Sequence, residues 1–146
     1  GLIEAGIPPI GIVSTPVDKC VWAGSLKGGA FKSKDGMRQK ISVRKANNQK
    51  ITVVASRSHR SPELEDFISK LEVERSISRG SSLKFCLIAE GDADIYPRTG
   101  PTMEWDTAAG HAVLIAAGGN MTNFDGTQFQ YAKPDFLNGW FIANGN

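Results

Sequence analysis

The chain has 146 residues, 40% of them hydrophobic and 22% charged, which fits one globular unit with an ordinary core and excludes a disordered tail. A net charge of only +2 gives no whole-molecule argument for nucleic acid, and no apolar run approaches the ~20 residues that a membrane-spanning helix needs. The opening residues 1–12 lack a basic segment and contain Pro8 and Pro9, so they do not read as a secretory signal.

In chain order, residues 10–15 and 19–23 are short β-rich runs separated by Pro16, Val17 and Asp18, the pattern of a hairpin. Gly28 and Gly29 turn the chain into a third short strand at Ala30 and Phe31. Residues 34–39 are polar, contain Gly36 and read as a loop and a subdomain boundary, with a strand following over 41–44. Around them lie Lys32, Lys34, Arg38, Lys40, Arg44, Lys45 and Lys50 against a lone Asp35. With only Phe31 interleaved, this cluster reads as a solvated face and not as a polyanion stripe.

From there strands and helices alternate. Residues 51–55 (ITVVA) are a continuous apolar, β-branched run, the mark of a strand buried on both faces. Ser61 and Pro62 form an N-cap and first-turn pair for a helix through about Lys70. A short strand is predicted over 75–79, and a helix opened by Ser81 runs through Glu90, with Gly91 as terminator. A strand over 93–96 follows. Asp106 then caps a helix from Thr107 to about Ala117, closed by Gly118 and Gly119. Residues 123–131 read as a hairpin turning at Asp125 and Gly126, and 140–143 as a last strand. The alternation is the signature of an α/β layered fold, to which the first ~35 residues do not belong. Cys86 sits in an apolar run and is expected to be a buried thiol; with Cys20 it makes too few cysteines for a disulfide framework, which favours a reduced, cytoplasmic setting.

Four groups with chemical potential fall at element ends. In Trp105-Asp106-Thr107-Ala108-Ala109-Gly110-His111, the aspartate reads either as a helix cap or as a holder of a divalent ion. The small residues after it keep side chains away from a helix start that favours anions. In Gly80-Ser81-Ser82-Leu83-Lys84, Ser81 is a cap, and Lys84 is either solvated or within reach of a ligand one turn on. The stretch Ser56-Arg57-Ser58-His59 follows the buried strand, where ligands of open α/β sheets sit. There His59 could bond a base or a phosphate, or merely cap the next helix. In Tyr96-Pro97-Arg98, the guanidinium suits phosphate or a stacked base. His111, among small apolar residues, reads as a packing histidine, and neither histidine has a partner at zinc spacing. No nucleophile elbow, Walker loop or dinucleotide-binding glycine motif is present.

Taken in this order, SRSH (56–59), GSSLKFCLIAEGDADIYPR (80–98) and GPTMEWDTAAGHAV (100–113) resemble the inositol monophosphatase superfamily, and within it the CysQ-type 3′(2′),5′-bisphosphate nucleotidases. The resemblance implies the sugar phosphatase fold: residues 1–37 as the last strands of an N-terminal α+β part, and 38–146 as a C-terminal α/β/α part with a roughly five-stranded mixed sheet. It implies that Asp106 is a Mg²⁺ ligand, and that His59, Ser81, Lys84, Arg98 and Asp106 hold a small nucleotide, adenosine 3′,5′-bisphosphate, which is hydrolysed to AMP and phosphate. Inositol or sugar phosphates, or nucleotide binding without catalysis, are the alternatives. A cytoplasmic location is implied, peripheral at the inner membrane for some bacterial relatives, although no amphipathic anchor is visible.

The chain departs from the family in one way. The Asp-Pro-aliphatic-Asp-Gly-Thr motif and the upstream glutamate pair, which supply most metal ligands, are absent; Asp35-Gly36 and Asp125-Gly126 lack the preceding Asp-Pro. The chain therefore reads as the C-terminal fragment of a longer enzyme, inactive alone, with the missing N-terminal half as its partner. Its first strands are expected to find almost no hydrogen-bonding partners within the chain.

Overall fold

Tight turns at the start of the chain fold successive strands back on one another. The structure, a computed structural model, describes residues 1–47, 49–56 and 61–145. Leu2–Glu4 (β1), Ile7–Thr15 (β2), Cys20–Ser25 (β3), Gly29–Lys34 (β4) and Met37–Ile41 (β5) form a five-stranded antiparallel sheet in sequence order. The expectation that these strands would lack partners is thus wrong: β2 pairs with β3 from Ile10↔Ser25 to Thr15↔Cys20, and β3 pairs with β4 along its whole length.

The expected loop over 34–39 is also a hairpin. Asp35 and Gly36 have φ of 50° and 80°, the two positive values that an Asp-Gly hairpin turn requires. That turn sets Lys34 opposite Met37. Arg38, Gln39 and Lys40 look loop-like because they are the exposed residues of a charged edge strand. β5 crosses position 37/38 and ends at Ile41, so the strand predicted over 41–44 is not formed.

The second sheet is mixed and five-stranded, as expected. Ile51–Ala55 (β6) is buried at every position. Pro62–Ser69 (α1), whose Ser61 N-cap accepts the Leu64 N–H at 3.3 Å, makes the crossover to the parallel strand Val73–Ser78 (β7). Leu83–Ala89 (α2) leads to Ile95–Arg98 (β8), also parallel to β6. After Thr102–Met103 (β9) and Glu104–Ala116 (α3) come Asn120–Asn123 (β10), Leu137–Asn138 (β11) and Phe141–Asn144 (β12). The sheet order is β10-β12-β8-β6-β7, with β12 antiparallel to both of its neighbours. The hairpin predicted over 123–131 is reduced to a turn, with the Asn123 N–H donating to Thr127 O at 2.9 Å, and one bridge, Thr122↔Gln128. β9 and β11 form a separate two-stranded ribbon.

Helix α3 lies between the two sheets, against β2 and β3 on one side and with α2 and β10 on the other. Small residues in the helix and in the facing strands allow this close approach. A Cβ at Gly24 would lie 2.7 Å from Val113 Cα, one at Gly11 would strike Ala109 and Ala112, and one at Gly110 would strike Phe85. Toward the mixed sheet the core is aromatic: Phe85–Tyr96, Tyr96–Phe141 and Phe129–Phe141 have centroids 5.3, 5.4 and 5.7 Å apart. Cys20 and Cys86 are free and buried, and burial pushes the Cys86 thiol up to about 12.

The segment after β5 is fastened by Arg44, which donates two hydrogen bonds of 2.7 Å to buried Asp94. Burial alone would raise the Asp94 carboxyl. Arg44 and the Thr52 N–H outweigh that and hold it below its usual range.

On the far side of the first sheet, the alternation of side chains leaves Ile10 and Ile12 48% and 62% exposed, with Val21 beside them on the same face.

Candidate active site

The parallel strands β6 and β8 end at Ala55, just before Ser56, and at Arg98, and the first turns of α2 and α3 lie beside them. Between these four ends is a cleft of about 210 Å³ whose walls include Ser81, Lys84, Arg98 and Asp106. A cleft beyond the carboxyl ends of parallel strands is the usual ligand position in open α/β sheets. Four of the five predicted site residues meet there. His59 lies outside the described residues; Ser56, at the base of its segment, lines the cleft.

Asp106 is at the start of α3, but not as its N-cap. The helix begins at Glu104, Met103 is the N-cap, and Asp106 occupies the third helical position. From there its Oδ2 accepts the Met103 N–H at 2.8 Å, the backward reach of a capping box. The helix starts early because Glu104 is held from outside. Its N–H donates to Phe136 O at 2.9 Å, and its carboxylate accepts from the main chain of Ala132 and Lys133 and from Lys133 Nζ. With Oδ2 engaged, Asp106 Oδ1 accepts no hydrogen bond from a described residue.

Ser81 does not open α2 either. That helix starts at Leu83 with Ser82 at its N-cap, and Ser81 stands ahead of it with φ of 56°, a left-handed conformation that is strained for a residue with a side chain. Its carbonyl turns toward Lys84, whose Nζ donates to it at 2.9 Å. Ser82 Oγ donates to Asp106 O at 3.0 Å and ties the two helix starts together.

Lys84 is only 4% exposed, with its ammonium 4.9 Å from the Tyr96 ring centroid. No carboxylate among the described residues pairs with it. Burial, with a smaller contribution from the Arg98 charge, lowers it to about 8. Arg98 is steadied by its own loop, with Nε donating to Gly100 O at 3.2 Å and Nη2 to Pro101 O at 3.3 Å. Among the described residues the cleft thus holds two cations without acidic partners, beside one carboxylate with an oxygen that accepts no hydrogen bond.

Sequence reasoning missed Thr102, Thr107 and Tyr96, which also line the cleft. Tyr96 and Thr107 flank predicted residues within their motifs, and that adjacency is the signal that could have found them. Thr102 carries no local signal. His111 is the packing histidine expected. Its Nδ1 lies 3.0 Å from Tyr131 OH, and burial lowers it to about 4.

A magnesium ion needs oxygen ligands, commonly one or two carboxylates plus substrate phosphate and water. Asp106 fits as one such ligand. Among the described residues no three His, Cys, Asp or Glu side chains cluster to hold a metal.

These layers and this cleft define an α/β fold shared with solved phosphatase-family structures. CysQ from Bacteroides thetaiotaomicron, described as a bacterial member of the inositol monophosphatase family, superimposes with a TM-score of 0.88 at 37% identity, covering 98% of this chain and 60% of that one. The inositol monophosphatase of Anabaena (Nostoc) shares the fold with a TM-score of 0.79 at 24% identity, over 100% of this chain and 60% of that one. The sequence pattern of the inositol monophosphatase family matches residues 1–143, and the chain belongs to that family. Among curated relatives, the 3′(2′),5′-bisphosphate nucleotidase CysQ of Salmonella typhimurium is 45% identical over 141 residues, 96% of this chain and 56% of the relative. That of Buchnera aphidicola is 40% identical over 146 residues, 98% of this chain and 54% of the relative. The chain therefore spans little more than half the length of these relatives.

Proposed function

We propose that this chain forms the C-terminal part of a Mg²⁺-dependent phosphatase that hydrolyses adenosine 3′,5′-bisphosphate to AMP and phosphate. The observation that carries this reading is the meeting of Lys84 and Arg98, both without acidic partners among the described residues, with the free Oδ1 of Asp106 in one cleft. Two cations match a ligand with two phosphates, and the names of the relatives point to the same substrate.

In this reading Ser81, Lys84 and Arg98, with His59 of the neighbouring segment, hold the nucleotide, and Asp106 gives one oxygen to Mg²⁺. Bound there, the ion would supply charge stabilisation and an activated water. Water adds across the 3′ phosphorus–oxygen bond, and the nucleoside keeps the hydroxyl. The cations fix the phosphate that is not cleaved, so that the reacting one is held still.

The remaining ligands belong to the part of the enzyme that the longer relatives carry. We assign that part to the exposed face of Ile10, Ile12 and Val21, an apolar surface that a folded protein tends to cover, and we read residues 1–37 as the end of that N-terminal unit. Two free buried thiols support a cytoplasmic setting. No described helix is long and apolar enough to cross a membrane.

Phosphate release by a polypeptide of the relatives' full length carrying this chain tests the proposal. Release from adenosine 3′,5′-bisphosphate in preference to inositol phosphate is expected, and none from the 146-residue chain alone. Preference for inositol phosphate would favour the sugar-phosphate reading, which the family match supports. AMP binding without any release would favour a non-catalytic module.

A further inference from the structure

We infer that Asn138, 32 residues beyond the candidate metal ligand, is a positioning residue for the Asp106 carboxylate. Asn138 is 4% exposed and stands opposite Thr102 in the β9–β11 ribbon. Its Nδ2 donates to Thr102 Oγ1 at 3.1 Å and to Thr107 Oγ1 at 3.2 Å. Those two threonines bracket Asp106, one in the strand before it and one in the helical turn after it. The next pair of the ribbon, Leu137↔Met103, fixes the residue whose N–H holds Asp106 Oδ2 at 2.8 Å. One side-chain amide thus sets both ends of the segment that decides where the free oxygen of Asp106 lies.

The arrangement is locally unfavourable. Asn138 Oδ1 is buried and accepts no hydrogen bond from a described residue, a state that native structures seldom tolerate without a reason. The neighbouring Phe136 carries φ of 57°, a strained value for a bulky side chain. An apolar residue of similar shape at 138 would remove the orphaned acceptor, so fold stability alone does not call for asparagine here. The two N–H donations to Thr102 and Thr107 do.

The positional claim stands on geometry alone; its consequence for metal affinity rests on the reading of Asp106 given above. The test compares Asn138→Leu, Thr102→Val and Thr102→Ser, with amide exchange at Met103 in the 146-residue chain and Mn²⁺-induced broadening near Asp106 in a full-length polypeptide carrying it as readouts. Asn138→Leu and Thr102→Val are expected to speed Met103 exchange and weaken Mn²⁺ each about tenfold, the loss of one hydrogen bond. Thr102→Ser, which keeps the acceptor, should restore both. On an Asp106→Asn background, Asn138→Leu should add nothing further to the loss of Mn²⁺. Unchanged Met103 exchange in a folded Asn138→Leu chain would overturn the inference. If that variant does not fold, equal Met103 exchange in Thr102→Val and Thr102→Ser overturns it instead. A Met103 response without Mn²⁺ binding by the unsubstituted full-length polypeptide supports the positioning role and sinks the metal reading.

Discussion

Lys84 and Arg98 face one another's charge across a shared cleft, and no described carboxylate pairs with either. Two like charges held together on a buried wall are tolerated where a ligand brings the compensating anions. The Lys84 ammonium is the more costly of the two, because its surroundings are Tyr96 and a single carbonyl, Ser81 O.

The first prediction concerns pH. An unfolded lysine titrates near 10.4 and the folded Lys84 at about 8. Between those values the unfolded chain binds more protons, so stability rises with pH across that window and is lowest below pH 8. Lys84→Met should therefore stabilise the fold near neutral pH by on the order of 1–3 kcal/mol. The same change should weaken AMP by about tenfold to a hundredfold through loss of a charge-assisted hydrogen bond. Urea unfolding and calorimetric titration at pH 7 check the two halves. A destabilised Lys84→Met would mean that the amine is paired in solution.

The second separates the two roles of Asp106. Asp106→Ala removes the acceptor of the Met103 N–H and should cost about 0.5–2 kcal/mol of stability. Asp106→Asn keeps an acceptor and should cost only the helix-dipole contribution, about 0.3–1 kcal/mol. Both should lose divalent-ion binding equally. Thermal unfolding beside Mn²⁺ titration distinguishes them, and retention of Mn²⁺ by Asp106→Asn would return Asp106 to a purely capping role.

The third concerns His111, which burial keeps neutral down to about pH 4, against 6.5 for an exposed imidazole. The stability tied to this depressed value is fully present above pH 6.5 and is lost as pH falls toward 4. His111→Gln retains a partner for Tyr131 but cannot titrate, so its stability loss between pH 7 and pH 4.5 should be smaller by about 1–3 kcal/mol. Equal losses, measured by urea midpoint, would show that His111 takes up its proton without unfolding.

How far the sequence speaks depends on how local each cause is. ITVVA declared itself a buried strand because five neighbouring apolar or β-branched residues suffice, and Ser61-Pro62 marked a helix start through its own chemistry. β5 was hidden because an edge strand made of Arg38, Gln39 and Lys40 has the composition of a loop. Asp106 was legible as belonging to a helix start but not as its third residue. The register is set by the hold of Ala132, Lys133 and Phe136 on Glu104, 28 to 32 residues before them. The same holds for Thr102 and Asn138, joined by a ribbon of two residue pairs that has no periodicity to detect. Lys84 was visible as one turn from Ser81, yet its burial depends on the ring of Tyr96.

The proposed function turns on whether Asp106 presents a carboxylate oxygen to a divalent ion in a cleft for bisphosphorylated nucleosides. The most direct measurement is phosphate release from adenosine 3′,5′-bisphosphate by a full-length polypeptide carrying this chain, with and without Mg²⁺, before and after Asp106→Asn. Release should require Mg²⁺ and fall by at least about a hundredfold in the variant, the scale of losing one transition-state electrostatic contact. An Asp106→Asn enzyme as fast as the unsubstituted one would contradict the assignment.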